Sequence, residues 1–406
     1  MTRPVPVTRN PRVLILGQDR DVLETVCQEA VDYGLSVRGS VDAETALEQF
    51  DGREFDIIAF GGGLPDALTG RLERDFRHQN PRVKFLRTPA PRAGWIIAQA
   101  AEGKDEAPAV DLDAYCARIG YNGPLTPTVE TLRALHELHP ASIPFEAIDV
   151  LLDRGIDISP DAVDSKLIGR RRGGYCYEHN SLFKRVLTAI GFRVEGLVAT
   201  VRWMTPPGSA PAPRSHMVLR VTIDGVPWLA DVGFGVCVPT SPLRMDVRDA
   251  QPTRHESFRV IPFGAGPLVQ ALVNGEWLSA YDISPEPLMD GHYEPLNWFT
   301  STHPSSHFRE RLIVTRVTAQ ARYSLLQGRL TVRTAGGETE RSFLSADEIE
   351  QTLSDIFTLR VEPEWRPVIV RAAAAVALER LDVESGLAQS ASSALPEDEV
   401  SAAAAR

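Results

Sequence analysis

Arg170-Arg171-Arg172-Gly173-Gly174-Tyr175-Cys176-Tyr177-Glu178-His179-Asn180 leads into Leu182, Phe183, Val186, Leu187 and Ile190, apolar residues at helical spacing that end on Gly191. The spacing predicts an amphipathic helix with Cys176 at its start and a glycine beyond its last turn. Gly173 and Gly174 let the backbone turn sharply and let a substrate come close. A helix N-terminus presents unpaired N–H groups and the positive end of the dipole, which favour the thiolate, the nucleophilic form of cysteine. A free cysteine is most often a small core residue. The glycine pair and the polar and aromatic neighbours argue for chemistry instead.

A thiolate catalyst needs a base and a group that orients the base. Downstream, Asp224-Gly225 separates the strand-like runs Ser215 to Ile223 and Val226 to Gly235. Asp-Gly in that position signals a type I′ hairpin with a two-residue loop. The register then sets Met217, Leu219, Val221 and Ile223 opposite Val232, Ala230, Trp228 and Val226, a wholly apolar face. On the other face His216 lies opposite Gly233 and Val218 opposite Asp231, so His216 and Asp231 are diagonal neighbours roughly 7 to 8 Å apart at the backbone. Such a carboxylate would fix the imidazole tautomer and stabilise its protonated form. Taken alone, the pair could be incidental on a surface hairpin. The register and the upstream cysteine favour a relay. Residue chemistry stops at a thiol acyltransferase or hydrolase with chain order Cys176, His216, Asp231.

Arg172-Gly173-Gly174-Tyr175-Cys176-Tyr177-Glu178 resembles the nucleophile motif of the arylamine N-acetyltransferase family. Ser215-His216-Met217 and Asp231-Val232-Gly233-Phe234-Gly235 are similar to its histidine and aspartate segments. Ile143-Pro144-Phe145-Glu146 resembles its upstream helix-loop motif, and Asn297-Trp298-Phe299-Thr300-Ser301-Thr302-His303-Pro304 its later strand segment. The resemblance spans about residues 110 to 360. It implies a helical bundle, a β-barrel and a C-terminal α/β lid around a cysteine-protease-like core. It also implies ping-pong acetyl transfer from acetyl-CoA to an aromatic amine or hydrazine, with no metal. Phe145, Phe234 and Phe299 would be substrate contacts, and Gly235, Thr300, Ser301 and His303 CoA contacts. Core packing is the alternative for each phenylalanine. Arg172 would hold Glu146 as a structural ion pair, while His303 and His307 are solvated or structural rather than catalytic. Ala147 stands where the family often has asparagine. A macrolactam-forming amide synthase and a thiol hydrolase or peptidase use the same kind of triad and remain alternatives.

Residues 11 to 100 alternate strand-like runs (Val13 to Leu16, Leu35 to Val41, Phe55 to Phe60, Val83 to Leu86) with helical ones, the first closing on Gly34, the second at Ala43 to Phe50 and the third at Leu68 to His78. That alternation predicts a small flavodoxin-like α/β domain with a parallel sheet. The stretch resembles a response-regulator receiver, with Leu64-Pro65 after the third strand. Gly61 stands at the phosphoacceptor position, and Gly17-Gln18 replaces the acidic pair, so neither Mg²⁺ nor phosphoryl chemistry is expected. Neither Gly17 nor Gly61-Gly62-Gly63 matches a dinucleotide or P-loop pattern. A docking or dimerisation module is the reading that remains. The expected domains are 1–105, 110–383 and a disordered, Ala/Ser-rich tail at 384–406, with a linker at 102–110 and a flexible run at 206–213. Thr126-Pro127 reads as a helix start and Ser345 as the cap of a helix to Phe357, followed by another near Pro367 to Leu381.

The 406 residues are 43% hydrophobic and 24% charged, with 54 acidic against 43 basic side chains and a formal charge of -11. That excess repels phosphate backbones and anionic membranes, so nucleic acid and membrane are not expected partners. Met1 to Asn10 has no apolar h-region, and no apolar run reaches membrane-spanning length, which gives a cytoplasmic expectation. Cys27, Cys116, Cys176 and Cys237 form no C-x-x-C pair and suggest neither a disulfide framework nor a zinc knuckle.

Overall fold

The computed structural model describes residues 12–32, 35–61, 63–81, 83–88, 110–205 and 212–377. Gly34, Gly62, the linker before Val110, residues 206–211 and the 384–406 tail lie outside them. The chain separates into two compact units, Met1–Ala107 and Pro108–Arg406.

In the first unit β1 (Arg12–Leu16), α1 (Arg20–Asp32), β2 (Ser36–Ser40), α2 (Ala46–Gln49), β3 (Ile57–Gly61), α3 (Asp66–Gln79) and β4 (Lys84–Thr88) alternate. The strands are all parallel, in the order β2-β1-β3-β4. Val13, Ile15, Ile57 and Ala59 pack under α1, whereas Leu14, Leu16, Ile58 and Phe60 pack under α3. Burial on both faces is why β1 and β3 read as continuous apolar runs rather than alternating ones.

The second unit opens with helices α4 (Leu112–Ile119) and α5 (Val129–Ser142), then β5 (Phe145–Glu146), α6 (Ile148–Leu151), α7 (Pro160–Asp164) and α8 (Cys176–Ile190). The predicted cap at Thr126 moves by two residues. The Thr126 carbonyl closes a tight turn onto the Thr128 N–H, and the Thr128 hydroxyl accepts from the Thr131 N–H at 3.3 Å. β6 (Arg193–Val201), β7 (Arg214–Ile223), β8 (Val226–Ala230), β9 (Leu243–Arg244), β10 (Gln251–Pro252), β11 (Ser257–Phe263), β12 (Gly266–Val273) and β13 (Glu276–Ile283) form an antiparallel sheet in the order β10-β11-β12-β13-β6-β7-β8-β9. It curls until β9 touches β11, a nearly closed barrel around Leu197, Val218, Leu229, Phe258 and Val269.

Asn297 to Pro304, expected as a strand, is mostly helix: α9 spans Tyr293–Thr302. Its buried residues Tyr293, Asn297, Thr300 and Ser301 follow helical spacing. The Thr300 and Ser301 hydroxyls donate back to the carbonyls of Leu296 and Asn297 at 2.8 Å. The β-prone Trp, Phe and Thr side chains are overridden by that packing. β14 (Ile313–Val317), β15 (Ala321–Leu326), β16 (Arg329–Thr334) and β17 (Thr339–Phe343) complete a second sheet, β17-β16-β15-β14-β5, covered by α10 (Ala346–Asp355) and α11 (Arg366–Ala375). A Ser345 capping box starts α10. Because β5 pairs with β14, Phe145 sits where the helical region meets this last layer.

Candidate active site

Cys176 is the first residue of α8 and is 5% exposed. The turn before it is close-packed. A Cβ on Gly173 would collide with the Pro144 carbonyl oxygen, so no other residue fits. Beneath the turn Arg172, 1% exposed, donates to Glu146 at 3.0 Å through Nε, reaches Asp149 at 3.3 Å and Glu362 at 3.4 Å, and lies 4.5 Å over the Trp365 ring. Lys166 joins Asp149 at 2.7 Å and Glu178 at 2.8 Å. The turn is therefore nailed to β5 and to the C-terminal layer by buried charge.

The Asp224-Gly225 loop has φ of 51° and 78°, and the ladder pairs Leu219 with Ala230, Val221 with Trp228 and Ile223 with Val226. That is the predicted register. Its apolar face packs on the helices through Met217, Leu219, Val221 and Val232. Beyond the last ladder pair, His216 Nε2 stands 2.8 Å from Asp231 Oδ2, with the histidine 3% and the aspartate 0% exposed. Cys176 favours the protonated form of the same ring, and its Sγ lies 3.6 Å from the Ser215 carbonyl. The three predicted residues thus meet.

Burial opposes the imidazolium, but the Asp231 carboxylate outweighs it and His216 is pushed up to about 10. Burial likewise opposes the carboxylate, and the His216 charge, the Asn180 amide and the Gly233 N–H together hold Asp231 below its ordinary range. At neutral pH His216 therefore favours its imidazolium form.

Two residues that fix this geometry escaped the sequence reading. Asn180, one turn beyond Cys176, donates to the Met217 carbonyl at 2.7 Å and to Asp231 Oδ1 at 3.0 Å, and accepts from the Val232 N–H at 3.1 Å. Its i+4 spacing from the cysteine was the available signal. His136 Nε2 accepts from the Asp231 N–H at 3.1 Å, burial pushing the ring down to about 4 and keeping it neutral. Nothing local in its sequence marks it.

Phe234 lies 5.1 Å from the His216 ring and 4.8 Å from Tyr281. A Cβ on Gly235, at φ 72°, would meet the Phe145 ring at 3.3 Å, and that ring also neighbours Phe308 at 6.0 Å. Phe234 therefore borders His216, and Phe145 approaches the same turn through Gly235. Phe299 and His303 stack on each other at 4.5 Å at the end of α9, and His303 Nδ1 is 2.8 Å from Ser305 Oγ. Thr300 and Ser301 are buried in the same helix. Among the described residues no cluster of three or more His, Cys, Asp or Glu could hold a metal, and no helix is long and apolar enough to cross a membrane.

A family model described as N-acetyltransferase matches residues 128–366. The arylamine N-acetyltransferase of Mycobacterium tuberculosis is 39% identical over 256 residues, 62% of this chain and 90% of that protein. The Mycolicibacterium smegmatis arylamine N-acetyltransferase is 42% identical over 253 residues, 61% and 92% of the two chains. The solved structure of the M. tuberculosis enzyme superposes with a TM-score of 0.62 at 38% identity, over 65% of this chain and all of that one. That of Mycobacterium marinum arylamine N-acetyltransferase in complex with CoA also gives 0.62 at 38%, over 65% and 99%.

Proposed function

The chain belongs to the arylamine N-acetyltransferase family, and from that premise we propose that it transfers acetyl from acetyl-CoA to an aromatic amine or hydrazine through an acetyl group held on Cys176. The meeting of Cys176, His216 and Asp231 carries this reading. With the proton on His216, the Cys176 thiolate attacks the thioester carbonyl. As the tetrahedral adduct collapses, the carbon–sulfur bond to CoA breaks and the imidazolium protonates the departing thiolate. Neutral His216 then takes a proton from the amine that attacks acetyl-Cys176. The cysteine leaves as thiolate and the charged pair is restored. Asp231 holds Nε2, which leaves Nδ1 for the thiol. A nucleophile on a helix and a base on a barrel strand support the reading of a cysteine-protease-like core.

Phe234 against the base and Phe145 across Gly235 supply apolar walls for a flat acceptor. Phe299, Gly235, Thr300, Ser301 and His303 are assigned to substrate and CoA contacts by the family resemblance. The crowding of Phe234 and Tyr281 around His216 suits a small acyl group better than a carrier-bound polyketide.

Incubation with acetyl-CoA is expected to add one acetyl mass to the intact protein, and Cys176→Ala to abolish it. No adduct on a folded sample would remove this reading. Reaction only with longer tethered thioesters would support an amide synthase, and CoA-independent peptide release a hydrolase.

For residues 1–105 the reading is a receiver-like, flavodoxin-like domain used for docking or dimerisation. The 2-1-3-4 strand order fits that class, while Gly61 at the end of β3 and Gly17-Gln18 after β1 leave no acceptor carboxylate. Acetyl phosphate should leave this unit unlabelled. A fragment beginning at Pro108 should keep its turnover and change its assembly state by size-exclusion chromatography; unchanged assembly would remove the docking role.

A further inference from the structure

Behind the site lies a chain of buried polar rings that the acyl-transfer steps do not use. Tyr115 of α4, His139 of α5 and His179 of α8 are all 0% exposed. The Tyr115 hydroxyl is 2.9 Å from His139 Nδ1, His139 Nε2 is 2.9 Å from His179 Nδ1, and His179 Nε2 is 3.2 Å from the Pro144 carbonyl oxygen. The direction of the chain follows from its last link. A carbonyl only accepts, so His179 Nε2 carries a hydrogen. Both rings are held neutral by burial, so His179 Nδ1 accepts, His139 Nε2 donates to it, and His139 Nδ1 accepts the Tyr115 hydroxyl. Every polar atom of the two rings is thereby matched, with one arrangement of hydrogens.

The chain ends one residue before Phe145. The Pro144 carbonyl accepts from His179 and also from the Gly174 N–H at 3.3 Å, so both of its donors belong to the cysteine-bearing segment. The Phe145 ring lies parallel to that of His179, 4° between planes and 6.4 Å between centroids. His179 is three residues after Cys176, within the first turn of the same helix. The imidazole therefore sets both the backbone and the ring of Phe145 relative to the sulfur.

We propose that His179 is a positioning residue for the acceptor half-reaction, fixing Phe145 at the separation from Cys176 that selects flat aromatic amines. This rests on the reading above, in which Phe145 borders the acceptor. His179→Phe keeps a ring beside Phe145 but removes both hydrogen bonds. His179→Gln can accept from His139 and donate to Pro144. With the full-length chain, the rate of acetyl-cysteine formation from acetyl-CoA should be the same in the parent and both variants. Transfer to a bicyclic arylamine should lose kcat/KM by roughly tenfold in His179→Phe, the scale of the single hydrogen bond that reaches Pro144, through KM. Transfer to hydrazine, which has no ring, should not change, and His179→Gln should regain most of the loss. Equal slowing of both half-reactions, or of hydrazine and arylamine alike, overturns the inference while leaving acetyl transfer standing. A parent that forms no acetyl-cysteine defeats the underlying reading and this inference with it. Nitrogen-15 NMR of the labelled parent supplies a readout independent of any variant's folding: His179 as the Nε2–H tautomer is expected, and Nδ1–H overturns the inference.

Discussion

Asp231→Asn changes no shape and tests the relay most directly. Asp231 Oδ1 accepts from Asn180 Nδ2 at 3.0 Å and from the Gly233 N–H at 2.9 Å, while Oδ2 faces His216 Nε2 at 2.8 Å. In the variant the amide oxygen must stay with the two donors, which turns the amide nitrogen toward His216. Nε2 then becomes an acceptor and the hydrogen moves to Nδ1, where it blocks the thiol from giving up its proton. The charge is lost as well. Raising His216 from 6.5 to about 10 corresponds to about 5 kcal/mol in favour of the imidazolium, at ~1.4 kcal/mol per pH unit. Without the carboxylate, burial opposes the imidazolium with only Cys176 left to favour it, and the ring is pushed down. Acetyl-cysteine formation should slow by about ten-thousandfold, the scale for a triad whose orienting acid becomes an amide. Rapid-quench mass spectrometry at saturating acetyl-CoA measures it, with a thermal melt to show that the variant is folded. A rate within tenfold of the parent would refute the assignment. The stability consequence has a definite sign. Because the folded value of His216 is raised, its contribution is full below about 6.5 and is lost as the pH climbs through about 10. That of Asp231, whose folded value is depressed below 3.8, is present above that pH and lost as the pH falls through the folded value. The stability gap between parent and Asp231→Asn, followed by urea unfolding, should therefore narrow from pH 7 to pH 10.

Asn180→Ala removes hydrogen bonds to Met217, Asp231 and Val232 and should cost roughly 2–4 kcal/mol, read as a lowered urea midpoint. Gly233→Ala would put a Cβ 2.9 Å from the Cys176 Cα and 3.2 Å from its carbonyl oxygen. Backbone cannot swing aside, so a stability loss of about 1–3 kcal/mol should accompany a fall of roughly a hundredfold in acetyl-cysteine formation, the scale of a 1 Å displacement. Arg172→Met strands the fully buried Glu146 carboxylate and should cost about 3–5 kcal/mol. Adding Glu146→Gln should recover part of that in a thermal melt.

What the sequence disclosed and what it concealed divide along a physical line. The cysteine helix was readable because apolar spacing from Leu182 to Ile190 and the Gly191 stop are properties of one segment, and Gly191 does take φ 106°. The hairpin was readable because Asp-Gly fixes a two-residue loop, and one loop length fixes every pair up the ladder. The His216–Asp231 contact then followed from register. The α9 segment was misread for the opposite reason. Its Trp, Phe and Thr content favours strand locally, and only the core that receives Tyr293, Asn297 and Ser301 selects helix.

His136, Phe308 and the Tyr115–His139–His179 chain stayed hidden because each contact joins residues from separate segments, and no period or turn signal within one segment encodes its partner. Asn180 marks the boundary between the two cases. Its place on the cysteine's helix face was legible, but its partners Met217 and Val232 are two strands away. The same division explains why catalytic placement can be exact while its supports are illegible. Gly173 and Gly233 permit close approach from either side of Cys176, and glycines can be seen in a sequence. The forces that use this permission come from Arg172, Asn180 and His179, polar groups buried among partners that only the folded chain assembles. Substituting Arg172 or Asn180 should therefore perturb rate, and substituting His179 acceptor choice alone, without touching any atom that reacts.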